Sequence, residues 1–143
     1  MDKKDEGITA VLIFEVIGRP PEKLTEALEN IIKKIKEEGA DIKNKSIKEP
    51  VSLKDKSDFF ITFCEVEINI KGIMELIGII FKYMPANVEI VEPESIKLEN
   101  SNWTEILSEI TRRLHGYDEV ARVLQIEKIV LEKKLRDLTD RKG

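Results

Sequence analysis

FFITFCEVEINI, running from Phe59 to Ile70, decides the fold. β-Branched and aromatic residues dominate it, and it reads as a strand. Phe59, Ile61 and Phe63 point one way; Phe60, Cys64, Val66, Ile68 and Ile70 point the other. A second stretch of the same kind, ITAVLIFEVI from Ile8 to Ile17, puts Ile8, Ala10, Leu12, Phe14 and Val16 on one face and Val11, Ile13 and Ile17 on the other. Strands apolar on both faces belong in the middle of a sheet, with cover on each side.

Weaker elements surround these two. Gly18-Arg19-Pro20-Pro21 ends the first strand, and proline at a helix's first position gives up an N–H that would be unpaired there anyway. Leu24, Leu28, Ile31 and Ile35, with Ala27 and Ile32, mark one face of the helix that follows, and Gly39 stops it. Ile42 to Val51 carries lysines and Pro50, which suit an exposed edge strand. Leu53 to Asp58 reads as a loop. Gly72 to Met84 is a second helix with a narrow polar stripe (Lys71, Glu75, Lys82), so it is expected to be mostly buried; Pro85 ends it. Asn87 to Glu92 is a short strand closed by Pro93. A last helix begins near Asn102, with Glu105 three residues on as a capping box, and runs to about Leu138, with Gly116 placed to bend or interrupt it.

The order is β-α-β-β-α-β-α, and its first six elements match the ferredoxin-like pattern. In that sheet the first and third strands are central. Here those two are the most apolar, while the second and fourth are short, charged or bounded by proline. A doubly wound parallel sheet would want an apolar second strand. The expectation is therefore an α+β protein: a ferredoxin-like βαββαβ sandwich over residues 1–100, followed by a long C-terminal helix over 101–143.

Composition sets the outer bounds. The chain has 143 residues, and a chain of this size buries roughly 70% of its unfolded surface. Charged residues make up 36%, against roughly 25% in ordinary domains. Lys, Glu and Ile dominate and Gln125 is the only glutamine, a bias that matches proteins from hot environments. Net charge is −4, with both signs interleaved along the chain, which argues against nucleic acid as the main partner. Cys64 is the only cysteine, so neither an internal disulfide nor a cysteine-rich metal site is possible. The residues from Met1 to Glu6 lack the apolar run of a signal peptide, and Ile73 to Met84 falls short of a membrane span. A cytoplasmic protein without a membrane partner is the expectation by elimination.

The C-terminal helix carries the sharpest pattern. Leu107, Ile110, Leu114, Tyr117, Ala121, Leu124, Lys128, Leu131, Leu135 and Leu138 are spaced alternately three and four apart. This is a heptad seam interrupted only by Lys128. It predicts a coiled coil joining chains, with Tyr117, Leu124, Lys128, Leu131, Leu135 and Leu138 at the interface. The bland account is a long helix lying on its own domain, which suits Leu107 to Tyr117 better than the residues beyond Val120.

Both helices of a ferredoxin-like sandwich cover one sheet face, yet Phe59, Ile61 and Phe63 load the other. A helix, a partner sheet or stacked RNA bases could cover it. KSDFFITF, Lys56 to Phe63, is loosely similar to the third-strand octamer of the RNA-recognition motif. Ser57 and Asp58 stand where that motif has glycine and an aromatic residue, so a structural role for these phenylalanines is preferred.

VIGRPPEKL resembles the strand-to-helix junction of ACT domains, regulatory βαββαβ modules that bind amino acids between paired domains. The resemblance implies a small-ligand site at a dimer interface, carried here by Gly18, Arg19 and Glu22. Pro21 stands where that family has glycine. MPANVEIVEPESI, from Met84 to Ile96, is similar to the C-terminal extension of WYL-type regulators. FEVIGRPPEKL and TRRLHGYDEVA together resemble a small uncharacterised archaeal family.

No residues assemble into a catalytic device. His115 is the only histidine and sits among charges. Cys64 lies mid-strand among apolar neighbours, as a small hydrophobe does. No glycine-rich phosphate loop is present. Glu65, Glu67, Glu89 and Glu92 alternate along strands as a solvated face does, and a hard cation is the less favoured account of them. The expectation is a non-enzymatic homo-oligomeric interaction or scaffold protein without a cofactor. The alternative is an ACT-like module binding a small ligand at a dimer interface, and an RNA-binding protein is a distant third.

Overall fold

In the computed structural model, residues 7–141 are described. The chain forms β1 (Ile8–Gly18), α1 (Pro21–Glu37), β2 (Asp41–Ile47), β3 (Val51–Leu53), β4 (Lys56–Ile70), α2 (Ile73–Tyr83), β5 (Asn87–Glu92) and α3 (Asn100–Asp140). It divides after Lys97 into two compact units, one carrying the sheet with α1 and α2, the other carrying α3.

The sheet is five-stranded and antiparallel, in the order β2-β4-β1-β5, with β3 also paired to β4. β1 and β4 are the central strands. The expected pattern lacks one element that is present. Ile42–Val51 is not a single edge strand, and Leu53 to Asp58 is not a loop. β2 ends at Ile47; Val51–Leu53 forms β3, and a two-residue turn at Lys54-Asp55 leads straight into β4. Strand length explains the difference. β4 has 15 residues, whereas β2 has 7 and covers only the far half, from Cys64 to Asn69. β3 takes up the near half against Ile61 and Phe60, which limits the exposed strand edge open to unwanted pairing. The result is an α+β sheet that the ferredoxin-like expectation describes only in outline.

One parity governs the core. Ile8, Ala10, Leu12 and Phe14 of β1 are buried beside Cys64, Val66, Ile68 and Ile70 of β4. α1 covers this face with Leu28, Ile32 and Ile35, and α2 with Leu76 and Ile79. Pro21 starts α1, as expected for a first-turn proline, and Glu22 sits in the same turn where the helix dipole favours an acid. Thr62 is the buried polar side chain of this face. Its hydroxyl donates to the Lys48 carbonyl at 2.5 Å, anchoring the chain just after β2.

The ends of α1 and α2 are tied together outside the core. The Glu38 carboxylate accepts hydrogen bonds from the Lys82 ammonium and from the Tyr83 hydroxyl, the latter at 2.6 Å. The Lys82 contact, then the Tyr83 contact, hold the Glu38 carboxyl below its ordinary range. Met84 closes α2 with a left-handed backbone, φ 48°, and its N–H returns to the Ile80 carbonyl at 2.9 Å.

Two outcomes are expected. Leu28→Ala should cost about 3 kcal/mol in urea unfolding, because it opens a cavity in a fully buried site. A cost under about 1 kcal/mol would contradict the assigned core. Glu38 is depressed in the folded state, so its stabilisation is full above the unfolded carboxylate pKa of about 4.3 and disappears as pH falls through the lower folded value. The melting temperature of Glu38→Gln should therefore lie below that of the parent at pH 7 and converge with it in acid. A gap that persists unchanged below pH 3 would refute the assignment.

Candidate functional site

α3 has 41 residues, a length of about 60 Å at 1.5 Å per residue. It starts two residues earlier than the Asn102 expectation. Glu99 is the N-cap, and its backbone N–H donates to the Asn102 side chain at 3.2 Å, so Asn102 rather than Glu105 closes the capping box. The helix continues uninterrupted through Gly116. Ion pairs line its surface: Glu109 with Arg112 and, at 2.9 Å, with Arg113, and Asp118 with Arg122 at 2.9 Å; Glu119 lies 3.4 Å from the His115 ring. None of these groups occupies the heptad seam.

Apart from Ile110, which is half-buried, the seam lies in solvent. Leu107 and Leu114 are more than half exposed, and so are Leu124, Leu131, Leu135 and Leu138; Tyr117 is 40% exposed. A shallow groove runs along the seam between Leu124, Lys128, Leu131 and Leu135. Soluble chains rarely leave so long a row of large apolar side chains in water. A second row was missed in the sequence: Val123, Ile126 and Val130, with Ile129 beside them, are also exposed. Their spacing of three and four is legible in the sequence, but the longer leucine pattern beside it overlaps the same turns.

The sheet face away from α1 and α2 has two halves, set by strand register. At one end Ile17, Ile61 and Val51 stand in one row across β1, β4 and β3. Ile17 and Val51 are exposed there, as is Phe63 nearby. The Arg19 guanidinium lies over the Phe59 ring at 5.2 Å from its centre and pairs with Asp58 at 3.7 Å. At the other end Glu67 and Glu89 flank Val11, and Glu65 sits opposite Ile13. Phosphate would meet these carboxylates on the same face, which disfavours RNA. Among the described residues, no three or more His, Cys, Asp or Glu side chains gather closely enough to hold a metal ion.

Gly18, Arg19 and Glu22 do not converge on one point. Gly18 ends β1 opposite Phe60, and a Cβ there would come within 3.2 Å of the Leu24 side chain, so glycine lets the first turn of α1 pack against the strand. Arg19 is engaged by Phe59 and Asp58, and Glu22 is exposed. The nearby cleft is lined by Ile17, Leu53, Lys54, Asp55 and Phe59, and by none of the three. Cys64 is fully buried, and burial pushes its thiol above the ordinary range, away from nucleophilic use. The His115 side chain is exposed on α3.

Gly116 offers a direct check on the helix. A Cβ built there meets nothing within 4 Å, so Gly116→Ala should stabilise the helix by about 1 kcal/mol and raise the melting temperature. Destabilisation would mean that another surface approaches α3 at that position.

No curated protein and no solved structure matches the chain. Among the described residues, no helix is long and apolar enough to cross a membrane. A family model does match, and it spans both the FEVIGRPPEKL and TRRLHGYDEVA stretches. The match supports the archaeal-type family that these stretches resemble and not the ACT likeness, in keeping with a junction whose arginine is engaged by its own sheet. Matched from residue 9 to residue 142, the chain belongs to the MJ0538 family, named after a Methanocaldococcus protein.

Proposed function

We propose that this protein is a non-enzymatic interaction or scaffold protein, whose copies assemble through α3 and whose open sheet face supplies a second contact surface. One observation carries the proposal: the heptad seam from Leu114 to Leu138 lies in solvent along a single continuous helix. A lone helix gains little from its own hydrogen bonds in water, and most helical stability in proteins comes from burying an apolar face. A second copy of the same seam provides that burial. The exposed row at Val123, Ile126 and Val130 gives the assembled helices a further surface on which to add copies. We infer as well that the sheet path β2-β4-β1-β5, with β3 set aside, is a ferredoxin-like arrangement. In it the helices occupy one face and leave Ile17, Val51, Phe59, Ile61 and Phe63 for contacts on the other.

Light scattering of the full chain should give at least twice the monomer mass of 16.5 kDa. Two changes should each return it to a monomer: ending the chain after Val120, and replacing Leu124 and Leu131 together by Glu in the full-length protein. The second keeps every backbone element, so it separates lost assembly from lost folding. Monomers throughout would end the proposal. Oligomers throughout would move the interface to the sheet.

A further inference from the structure

We infer that α3 pairs with α3 of a second copy in antiparallel orientation, with Leu107 opposite the partner's Leu138. The inference rests on the assembly reading above and adds orientation and register to it. The seam has ten positions, and laid head to tail all ten find partners: Leu107 with the partner's Leu138, Ile110 with Leu135, Leu114 with Leu131, Tyr117 with Lys128, and Ala121 with Leu124. Each pairing occurs twice about a twofold axis passing between Arg122 and Val123, as a closed dimer requires.

The two irregular layers decide between orientations. In a parallel, in-register pair, like faces like. Lys128 would meet Lys128, placing two ammonium groups in one apolar seam, and Ala121 would meet Ala121, leaving a gap between Tyr117 and Leu124. Turned antiparallel, both faults disappear. The Lys128 ammonium meets the aromatic ring of the partner's Tyr117, a favourable cation–π pairing. The small Ala121 meets the large Leu124, so the volumes of that layer complement each other. At the rims each orientation has one unfavourable pairing. A parallel pair opposes Glu127 to Glu132, and its one opposite-charge pairing, Arg113 with Asp118, joins groups already held by Glu109 and Arg122 of their own chains. The antiparallel pair opposes Arg113 to Lys134, but Arg113 is already bound to Glu109 of its own chain at 2.9 Å, which offsets its charge.

Disulfide trapping in the full chain tests this. Leu107→Cys and Leu138→Cys are made as separate proteins, each keeping Cys64, which is fully buried. Each is oxidised alone and after the two are unfolded and refolded together, and the mass of each is taken by light scattering. The expected result is no covalent dimer from either protein alone and a covalent dimer from the mixture. Covalent dimers of each alone, at oligomeric mass, would establish a parallel coil and overturn the inference while leaving assembly intact. No cross-link anywhere at oligomeric mass would overturn the register. Monomeric mass would overturn the assembly reading itself, and the orientation with it.

Discussion

The pairing of β1 with β4 is the constraint on which the rest depends. It runs without a break from Ile8 opposite Ile70 to Gly18 opposite Phe60. Side chains on a strand alternate between faces, so this single register assigns every residue of both strands to one side. It places Ala10, Leu12 and Phe14 beside Cys64, Val66 and Ile68 under the helices. By the same step it places Val11, Ile13 and Ile17 beside Glu67, Glu65 and Ile61 on the other face. A slip of one residue would exchange the two sets, burying glutamates and exposing the core. The acidic half and the apolar half of the open face are therefore both consequences of how the core is aligned.

α3 answers to a different constraint. The sheet unit closes its core with α1 and α2, as the buried faces of those helices attest. α3 brings thirteen exposed large apolar side chains, from Trp103 to Leu138. Its ion pairs stand on the surface, where each is worth little, so they cannot by themselves account for a helix of this length. Burial of the seam against a second copy of the chain, as proposed above, would supply the remainder. We propose that the molecule joins a small sheet domain to a helix that assembles with other copies of the chain.

Much of this was legible in the sequence because it depends on local pattern. Period-two apolarity in Ile8 to Ile17 and Phe59 to Ile70 gave the central strands. Proline and glycine punctuation bounded α1, α2 and β5 within a residue or two. Spacings of three and four along α3 gave the seam. What was not legible depends on partners distant in the chain. β3 exists because β4 outruns β2, and nothing in the three residues Val51–Leu53 announces that. Arg19 reads as a free ligand-binding cation until the fold brings Phe59 and Asp58 beside it. The Glu38 contact with Lys82 and Tyr83 joins residues more than forty positions apart, beyond the reach of any local pattern.

We propose that other copies of the chain stabilise the half of α3 that follows Val120. Amide hydrogen exchange of the intact protein at several concentrations tests it most directly, because protection reports the free energy of local opening. On this account the amides from Leu124 to Leu138 are strongly protected at high concentration and lose protection on dilution, while those of β1 and β4 stay protected throughout. Amides in that segment that exchange at the fast rate of a fraying helix at every concentration would contradict it.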